Sequence, residues 1–578
     1  WFAYGLNTSG SDWNSLRIKN VDTGNDLPEV LTRLKFSNIT WTHDNRGFFY
    51  SAFPGIEGDG TETTECTYQK LYYHRIGTPQ TEDVLVYERP DEPNYRFNAS
   101  ISDCGHYLHV WTNHSCEYNL WHYHRFADPL APVITGPLAL ETVVDVFNAD
   151  YYYVANDGPR TVFRTNLHAS NFRLCVVDLS DVAAARLPAS WTDLVPEHPK
   201  DVLEGAVAAA GDLIVASYIR DVTSRVQLHR LADGSLLREL PLPLGNVTGL
   251  AAKREQKELF YSFTSFLIPG IVYHLVLEGE GVTGAKEPTV FREAKPANFD
   301  HTKFVTEQVF YESKDGTKVP MFLVHKKDFT KDGQAPCRLY AYGGFNVSIK
   351  PSFSLQNIIL MENLGGLFAL ANIRGGGEYG EKWHNAAKLE KKQTCFDDFI
   401  AAAEYLTKER YTRSEKLWIE GGSNGGLLIG AVSNQRPELF AAGIAHVGVM
   451  DLLRFHKFTI GHAWMSEYGN PEKEADFRNL IRLSPLHNVP GDVDRFPATL
   501  LLTADHDDRV VPLHSFKLIA ELQHKLGEKV GARTPLLARI DTKSGHGFGK
   551  PTEKIIEEVA DIYSFIINAL KLEYKQQQ

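Results

Sequence analysis

The sequence predicts a two-part chain: a β-propeller over residues 1–295, then a doubly wound, mostly parallel α/β domain over residues 296–578. Three observations carry that expectation. The first half repeats an aromatic or β-branched strand pattern at a loose period. The second half alternates apolar strand-like runs with amphipathic helical segments. The change from one pattern to the other falls at a single place, near residue 295.

Copies of the strand unit begin at Phe2, Phe48, Tyr107, Tyr151, Leu213 and Leu259, at intervals of 46, 59, 44, 62 and 46 residues. Most are followed by a second alternating strand, as in SLRIKNV, KLYYHRI and RVQLHRL. Several strands per copy at this spacing read as one blade per repeat, about six blades in all. A pair of β-sandwiches would also give short strands, but the half has no Cys-Trp-Cys framework to support it. His122 and His124 lie two apart on one strand without a third ligand nearby, so a solvated strand face is expected there rather than a metal.

In the second half, strand-like runs stand at Phe304–Tyr311, Lys318–Val324, Arg338–Tyr342, Leu367–Ile373, Leu417–Glu420, Ala441–Ala445, Ala498–Ala504 and Pro535–Asp541. Helix-period segments separate several of them, and Thr552–Leu570 places Ile555, Ile556, Val559, Ile562, Phe565 and Ile566 on one face. The run LWIE leads into Gly421-Gly422-Ser423-Asn424-Gly425, and a helical pattern follows at once. A G-x-S-x-G between strand and helix is a nucleophile elbow: the serine takes strained backbone angles, and its neighbours two positions away must lack side chains. Such a serine needs a base and an orienting acid, in the chain order Ser, Asp, His. The strand ATLLLTA runs into Asp505-His506-Asp507-Asp508-Arg509, and PLLARID runs into Lys543-Ser544-Gly545-His546-Gly547. An acid of the first loop and His546 of the second therefore complete a triad with Ser423, all at carboxyl ends of strands.

Composition narrows the partners. Hydrophobic residues make up 43% and charged residues 23% of 578, which excludes a disordered chain, and the net charge of -12 is a poor platform for nucleic acid or anionic membrane, so neither is expected as a partner. No apolar run reaches the roughly 18–20 residues that span a bilayer. Gly375, Gly377 and Gly380 satisfy G-x-G-x-x-G, but no acid follows at the next strand end, so no dinucleotide is expected. The six cysteines show no CxxC pair or metal-ligand rhythm and read as reduced thiols in the cytoplasm. Six Asn-x-Ser/Thr sequons, starting at Asn7, Asn38, Asn98, Asn113, Asn246 and Asn346, pull weakly toward secretion. Neither a metal nor a cofactor is expected.

The segments YAYGGFNVS, NIRGGGEYGEKWH, GGSNGGLL, LLLTADHDDRVVPLHSFK and DTKSGHGFGKPTEK resemble the prolyl oligopeptidase family of serine peptidases. The likeness reaches back through LPEVLTRLKFS and covers nearly the whole chain. It implies a seven-bladed propeller over an α/β-hydrolase domain, and a monomeric endopeptidase that cleaves short peptides after internal proline. It assigns the triad acid to Asp507, and the oxyanion hole to the backbone N–H of Asn424 and the hydroxyl of Tyr342. It also assigns a substrate-carbonyl contact to Arg509, and the proline pocket to Phe345, Val449, Trp464, Tyr468 and Val510. Family members carry an N-terminal segment ahead of the position where Trp1 aligns. The resemblance therefore implies an incomplete propeller and lower stability than the full architecture. Three other readings stand beside it: a dipeptidyl-peptidase or basic-residue-selective relative, a macrocyclase that resolves the same acyl-enzyme with an amine, and an inactive propeller scaffold.

Overall fold

A computed structural model describes residues 1–297, 299–530 and 534–576. The first half forms six antiparallel sheets in succession. The first has three strands, Phe2–Leu6, Asn14–Lys19 and Asp26–Leu34, and the other five have four each. Their alternation is visible in Thr223–Arg230, where Ser224, Val226 and Leu228 face inward and the residues between them face outward. The main hydrophobic clusters of this half are shared by consecutive sheets. Tyr107 and Trp121 of the third sheet pack with Tyr151 and Phe163 of the fourth; Val162 and Leu174 of the fourth pack with Ile214 and Ala216 of the fifth. Sheets stacked face to face around a ring, each burying its neighbour, are a propeller.

His122 departs from the solvated face expected for it. It is buried beside Tyr87, and burial pushes its pKa down to about 4, so the ring stays neutral. His124 has Nδ1 at 2.8 Å from the carbonyl of Ala139.

The second half is one eight-stranded sheet. Its spatial order is Phe304–Glu312, Lys318–Lys326, Leu367–Ala371, Cys337–Tyr340, Leu417–Gly422, Ala442–His446, Ala498–Ala504 and Leu536–Asp541. The first three strands are joined antiparallel and all later pairs are parallel. The central strands, such as Leu417–Gly422 and Ala498–Ala504, are apolar on both faces because helices cover both. From Cys337–Tyr340 the chain moves outward to Leu367–Ala371 and then crosses back to Leu417–Gly422 on the opposite side. Strand order reverses there, and the crevice beyond the carboxyl ends of those two strands is where this topology builds its sites.

A buried ion pair locks the two strands beneath that crevice. Arg338 Nε and Nη2 donate to Glu420 at 2.8 and 2.7 Å, and Arg338 Nη1 donates to Asn357 at 2.8 Å. Burial pushes the Glu420 pKa up, but Arg338 and His446 outweigh it and hold the carboxyl down at about 2. The helix Thr552–Leu570 buries Ile562, Phe565 and Ile566 against the sheet, while Ile555 and Ile556 at its start are exposed. No helix among the described residues is long and apolar enough to cross a membrane.

Candidate active site

Ser423 ends the strand Leu417–Gly422 and precedes the helix Asn424–Gln435 with φ 56° and ψ −116°. This is left-handed territory that serine enters only when its surroundings force it. The glycine pattern has a direct steric cause. A Cβ on Gly421 would lie 2.5 Å from the carbonyl oxygen of Gly425, and one on Gly425 would lie 2.8 Å from that of Ala341. The Ser423 N–H donates to the carbonyl of His446 at 2.8 Å, which ties the elbow to the neighbouring strand.

Asp507 and His546 meet beyond the next strand ends. His546 Nδ1 stands 2.9 Å from Asp507 Oδ2 and 3.1 Å from Oδ1. The buried Asp507 Oδ1 also accepts the backbone N–H groups of Arg509 at 3.1 Å and Val510 at 2.9 Å. The flanking acids are otherwise engaged. Asp505 holds His506 at 2.5 Å. Asp508 takes a buried 2.7 Å contact from Lys35, and accepts from Ser11 Oγ and the N–H of Asp12.

Ser423 and His546 share a cavity of about 630 Å³ with Tyr342, Phe345, Val449, Trp464, Tyr468 and Arg509. The Tyr342 hydroxyl faces Ser423; burial, then the charge of Glu467, push its pKa up, so it is a protonated donor at neutral pH. The Asn424 side chain ties this wall together. Its Nδ2 donates to the carbonyl of Tyr342 at 2.6 Å, and its Oδ1 accepts from Tyr468 Oη at 3.0 Å. Phe345 meets Tyr468 edge-on at 5.5 Å between centroids, and Phe455 stacks behind Trp464 at 6.2 Å. An apolar slot with an indole and aromatic edges suits a flat ring that has no N–H. Val510, which the resemblance assigns to this slot, does not line the cavity; it is buried, with its N–H spent on Asp507.

The propeller contributes groups that no local pattern announces. Asp12 accepts from Arg509 Nε at 2.9 Å and Nη2 at 2.6 Å, aiming the guanidinium into the cavity beside Phe548. Cys116 lines the same cavity. At Gly10 the propeller backbone touches the loop of His546: a Cβ on Gly545 would lie 1.9 Å from the Gly10 carbonyl oxygen. Asp12 and Cys116 sit on loops whose partners lie hundreds of residues away; Phe548 alone, two positions after His546, stood within reach of a local signal.

A nucleophile elbow, a histidine paired with a buried aspartate, and a polar donor wall at one sheet crevice define a serine hydrolase, here roofed by a propeller. Residues 1–288 match the family described as prolyl oligopeptidase, N-terminal beta-propeller domain, and residues 351–573 match the prolyl oligopeptidase family. The chain belongs to the prolyl oligopeptidase family. It is 38% identical to a prolyl endopeptidase of Dictyostelium discoideum over 98% of this chain and 79% of the relative. It is 39% identical to prolyl oligopeptidase A of Amanita bisporigera, over 100% of this chain and 76% of that one. Among solved structures it is similar to prolyl oligopeptidase B from Galerina marginata bound to a 35mer hydrolysis and macrocyclization substrate. That match has a TM-score of 0.91 and 36% identity, covering 99% of this chain and 79% of the other.

Proposed function

We propose that this chain is a serine endopeptidase that hydrolyses short peptides on the carboxyl side of internal proline through an acyl-enzyme on Ser423. The observation that carries the reading is one cavity holding the strained Ser423, a His546 paired with buried Asp507, and an apolar wall of Phe345, Val449, Trp464 and Tyr468. Residues 1–295 act as the screening propeller and residues 296–578 as the catalytic unit; the last propeller strand ends at Glu293 and the first hydrolase strand starts at Phe304.

Ser423 Oγ attacks the carbonyl carbon of proline while His546 Nε2 takes its proton, and Asp507 holds the Nδ1 side and stabilises the imidazolium. The oxyanion accepts from the Asn424 N–H and the Tyr342 hydroxyl, donors already in place before charge develops. His546 then protonates the leaving amine. Water, deprotonated by the same histidine, attacks the ester and frees Ser423. Arg509, oriented by Asp12, donates to a backbone carbonyl of the bound peptide, and Phe345, Val449, Trp464, Tyr468 and Val510 form the proline subsite and its backing. In this reading the enzyme works as a monomer, one chain supplying the triad and the slot. Its six free cysteines fit the reducing cytoplasm.

The test is labelling by a serine-directed fluorophosphonate together with hydrolysis of a Gly-Pro-amide reporter. Ser423→Ala abolishes both; a folded wild-type sample that does neither refutes the reading. The similarity to a relative solved bound to a hydrolysis and macrocyclization substrate supports a second outcome, in which an amine resolves the acyl-enzyme. Product mass distinguishes them, because the cyclic peptide lacks the water that hydrolysis adds.

A further inference from the structure

Behind the pocket wall lies a buried charged cluster that the reaction scheme leaves unused. Glu467 is 1% exposed. Its Oε1 accepts from Lys392 Nζ at 2.8 Å; its Oε2 accepts from the N–H of Phe345 at 3.1 Å and lies 2.7 Å from His384 Nε2. Lys392 Nζ also donates to the carbonyl of Gly343 at 3.0 Å. The loop between the oxyanion donor and the pocket wall is thus gripped at both ends. It needs gripping: Gly343, Phe345 and Asn346 have φ of 67°, 56° and 57°, and a bulky residue such as Phe345 does not hold a left-handed conformation unaided.

The cluster extends into the propeller. His384 Nε2 stands 3.7 Å from Oε1 of Glu117, the residue after Cys116 on the cavity wall. Glu117 is separately paired with Lys388 at 2.7 Å. Glu117, His384 and Glu467 bring ligand-type atoms within 4.8 Å of one another, but each carboxylate already carries a lysine, so a cation there would meet two ammonium groups. Charge balance suits a relay between the two halves, not a metal. Burial pushes the Glu467 pKa up, and Lys392 together with the His384 contact more than offsets it, leaving the carboxyl at about 2 and ionised throughout the working range.

We propose that Glu467 is the positioning residue that holds the 343–346 loop, and with it Tyr342 and Phe345, in working geometry, and that Glu117 reports a seated propeller to this loop through His384. The inference rests on the peptidase reading above and adds its control: the oxyanion donor and the proline slot are complete only when the propeller sits over them. A roof that merely screens substrates would leave the chemistry untouched when its contact is weakened. This one lowers the rate.

The experiment compares the full chain with Glu117→Gln, Lys388→Met, Glu467→Asp and the Glu117→Gln/Glu467→Asp double variant, following kcat and KM on the Gly-Pro-amide reporter and thermal unfolding. Glu117→Gln is expected to keep the wild-type Tm and lose about tenfold in kcat, within the 5–150-fold span usual for coupled sites. Lys388→Met, which removes the other partner of Glu117 but leaves His384 and Glu467 in contact, is expected to keep kcat within about twofold. The double variant is expected to lose no more than Glu467→Asp alone, since both act on one element. Equal losses in Lys388→Met and Glu117→Gln, or losses that multiply in the double variant, overturn the proposal. A wild-type chain that neither labels nor hydrolyses refutes the peptidase reading instead, whereas an active wild type matched by Glu117→Gln refutes only the coupling.

Discussion

Replacing Tyr342 by phenylalanine removes one hydroxyl and leaves the ring where it is. Three contacts keep it there: Asn424 Nδ2 on the Tyr342 carbonyl at 2.6 Å, Lys392 on the next carbonyl at 3.0 Å, and Glu467 on the Phe345 N–H at 3.1 Å. None involves the hydroxyl, so the pocket wall stays and KM is expected to change less than about threefold, the effect being confined to charge that exists only in the transition state. The oxyanion then has one donor, the Asn424 N–H, where it had two. Loss of one such donor costs about 2.7–4 kcal/mol, a fall of about 100- to 1000-fold in kcat. Steady-state kinetics on the Gly-Pro-amide reporter measure the fall, and thermal unfolding verifies that the fold is intact. A kcat within fivefold of wild type, at unchanged Tm, would show that Tyr342 does not serve the oxyanion.

Other expectations follow from the same geometry. Asn424→Ala keeps the backbone N–H but strands the buried Tyr468 hydroxyl and frees Tyr342, so unfolding in denaturant should show a loss of about 1–3 kcal/mol, with a reduced kcat. Gly421→Ala drives a Cβ to 2.5 Å from the Gly425 carbonyl and displaces the serine, and fluorophosphonate labelling should slow by about 100-fold, the usual effect of a 1 Å misplacement. Glu420→Gln leaves Arg338 buried without its counter-charge and should cost about 3–5 kcal/mol at neutral pH. In the wild type the folded Glu420 pKa, about 2, lies below the ordinary carboxylate value of about 4.3, so its stabilisation is present above the latter and lost as pH falls through the former. Tm measured from pH 7 down to pH 2 should therefore drop steeply in the wild type and less steeply in Glu420→Gln.

The elbow was legible because part of its requirement is local: the Gly425 carbonyl, four residues on, bars a Cβ on Gly421, although the bar to one on Gly425 comes from distant Ala341. The choice among Asp505, Asp507 and Asp508 was not. Their partners are His506 next door, His546 some 39 residues on, and Lys35 at the far end of the chain, and no spacing rule reaches the last. Only the family pattern separated them. In the propeller, the repeat unit at Tyr151 is out of phase. Tyr151–Asp157 is the first strand of its sheet, whereas Tyr107–Asn113 and Leu213–Arg220 are second strands. The true counterpart begins at Arg160, 53 residues from both, and the uneven intervals of 44 and 62 were the trace of choosing the more aromatic strand. His122 looked polar and so exposed; it is buried because a strand near the middle of a blade faces another blade on each side. The Glu117–His384–Glu467 cluster left no sequence signal, since its members come from three separated segments and each taken singly is an ordinary surface residue type.

The contact between Gly10 and Gly545 bears on when the enzyme becomes active. Ser11, Asp12 and Lys35, made before Ser423, brace Asp508 and Arg509, made after it, and Gly10 presses on the loop of His546. On the ribosome the propeller emerges before the hydrolase unit, and domains fold in the order in which they emerge. The base of the triad cannot find its support until the loop of His546 has itself emerged and come back onto that first sheet. A nascent chain therefore carries Ser423 for more than a hundred residues of synthesis, about 5–25 s at 5–20 residues per second, with no base to activate it. Through that interval the triad cannot act on the chain itself or on neighbouring nascent peptides.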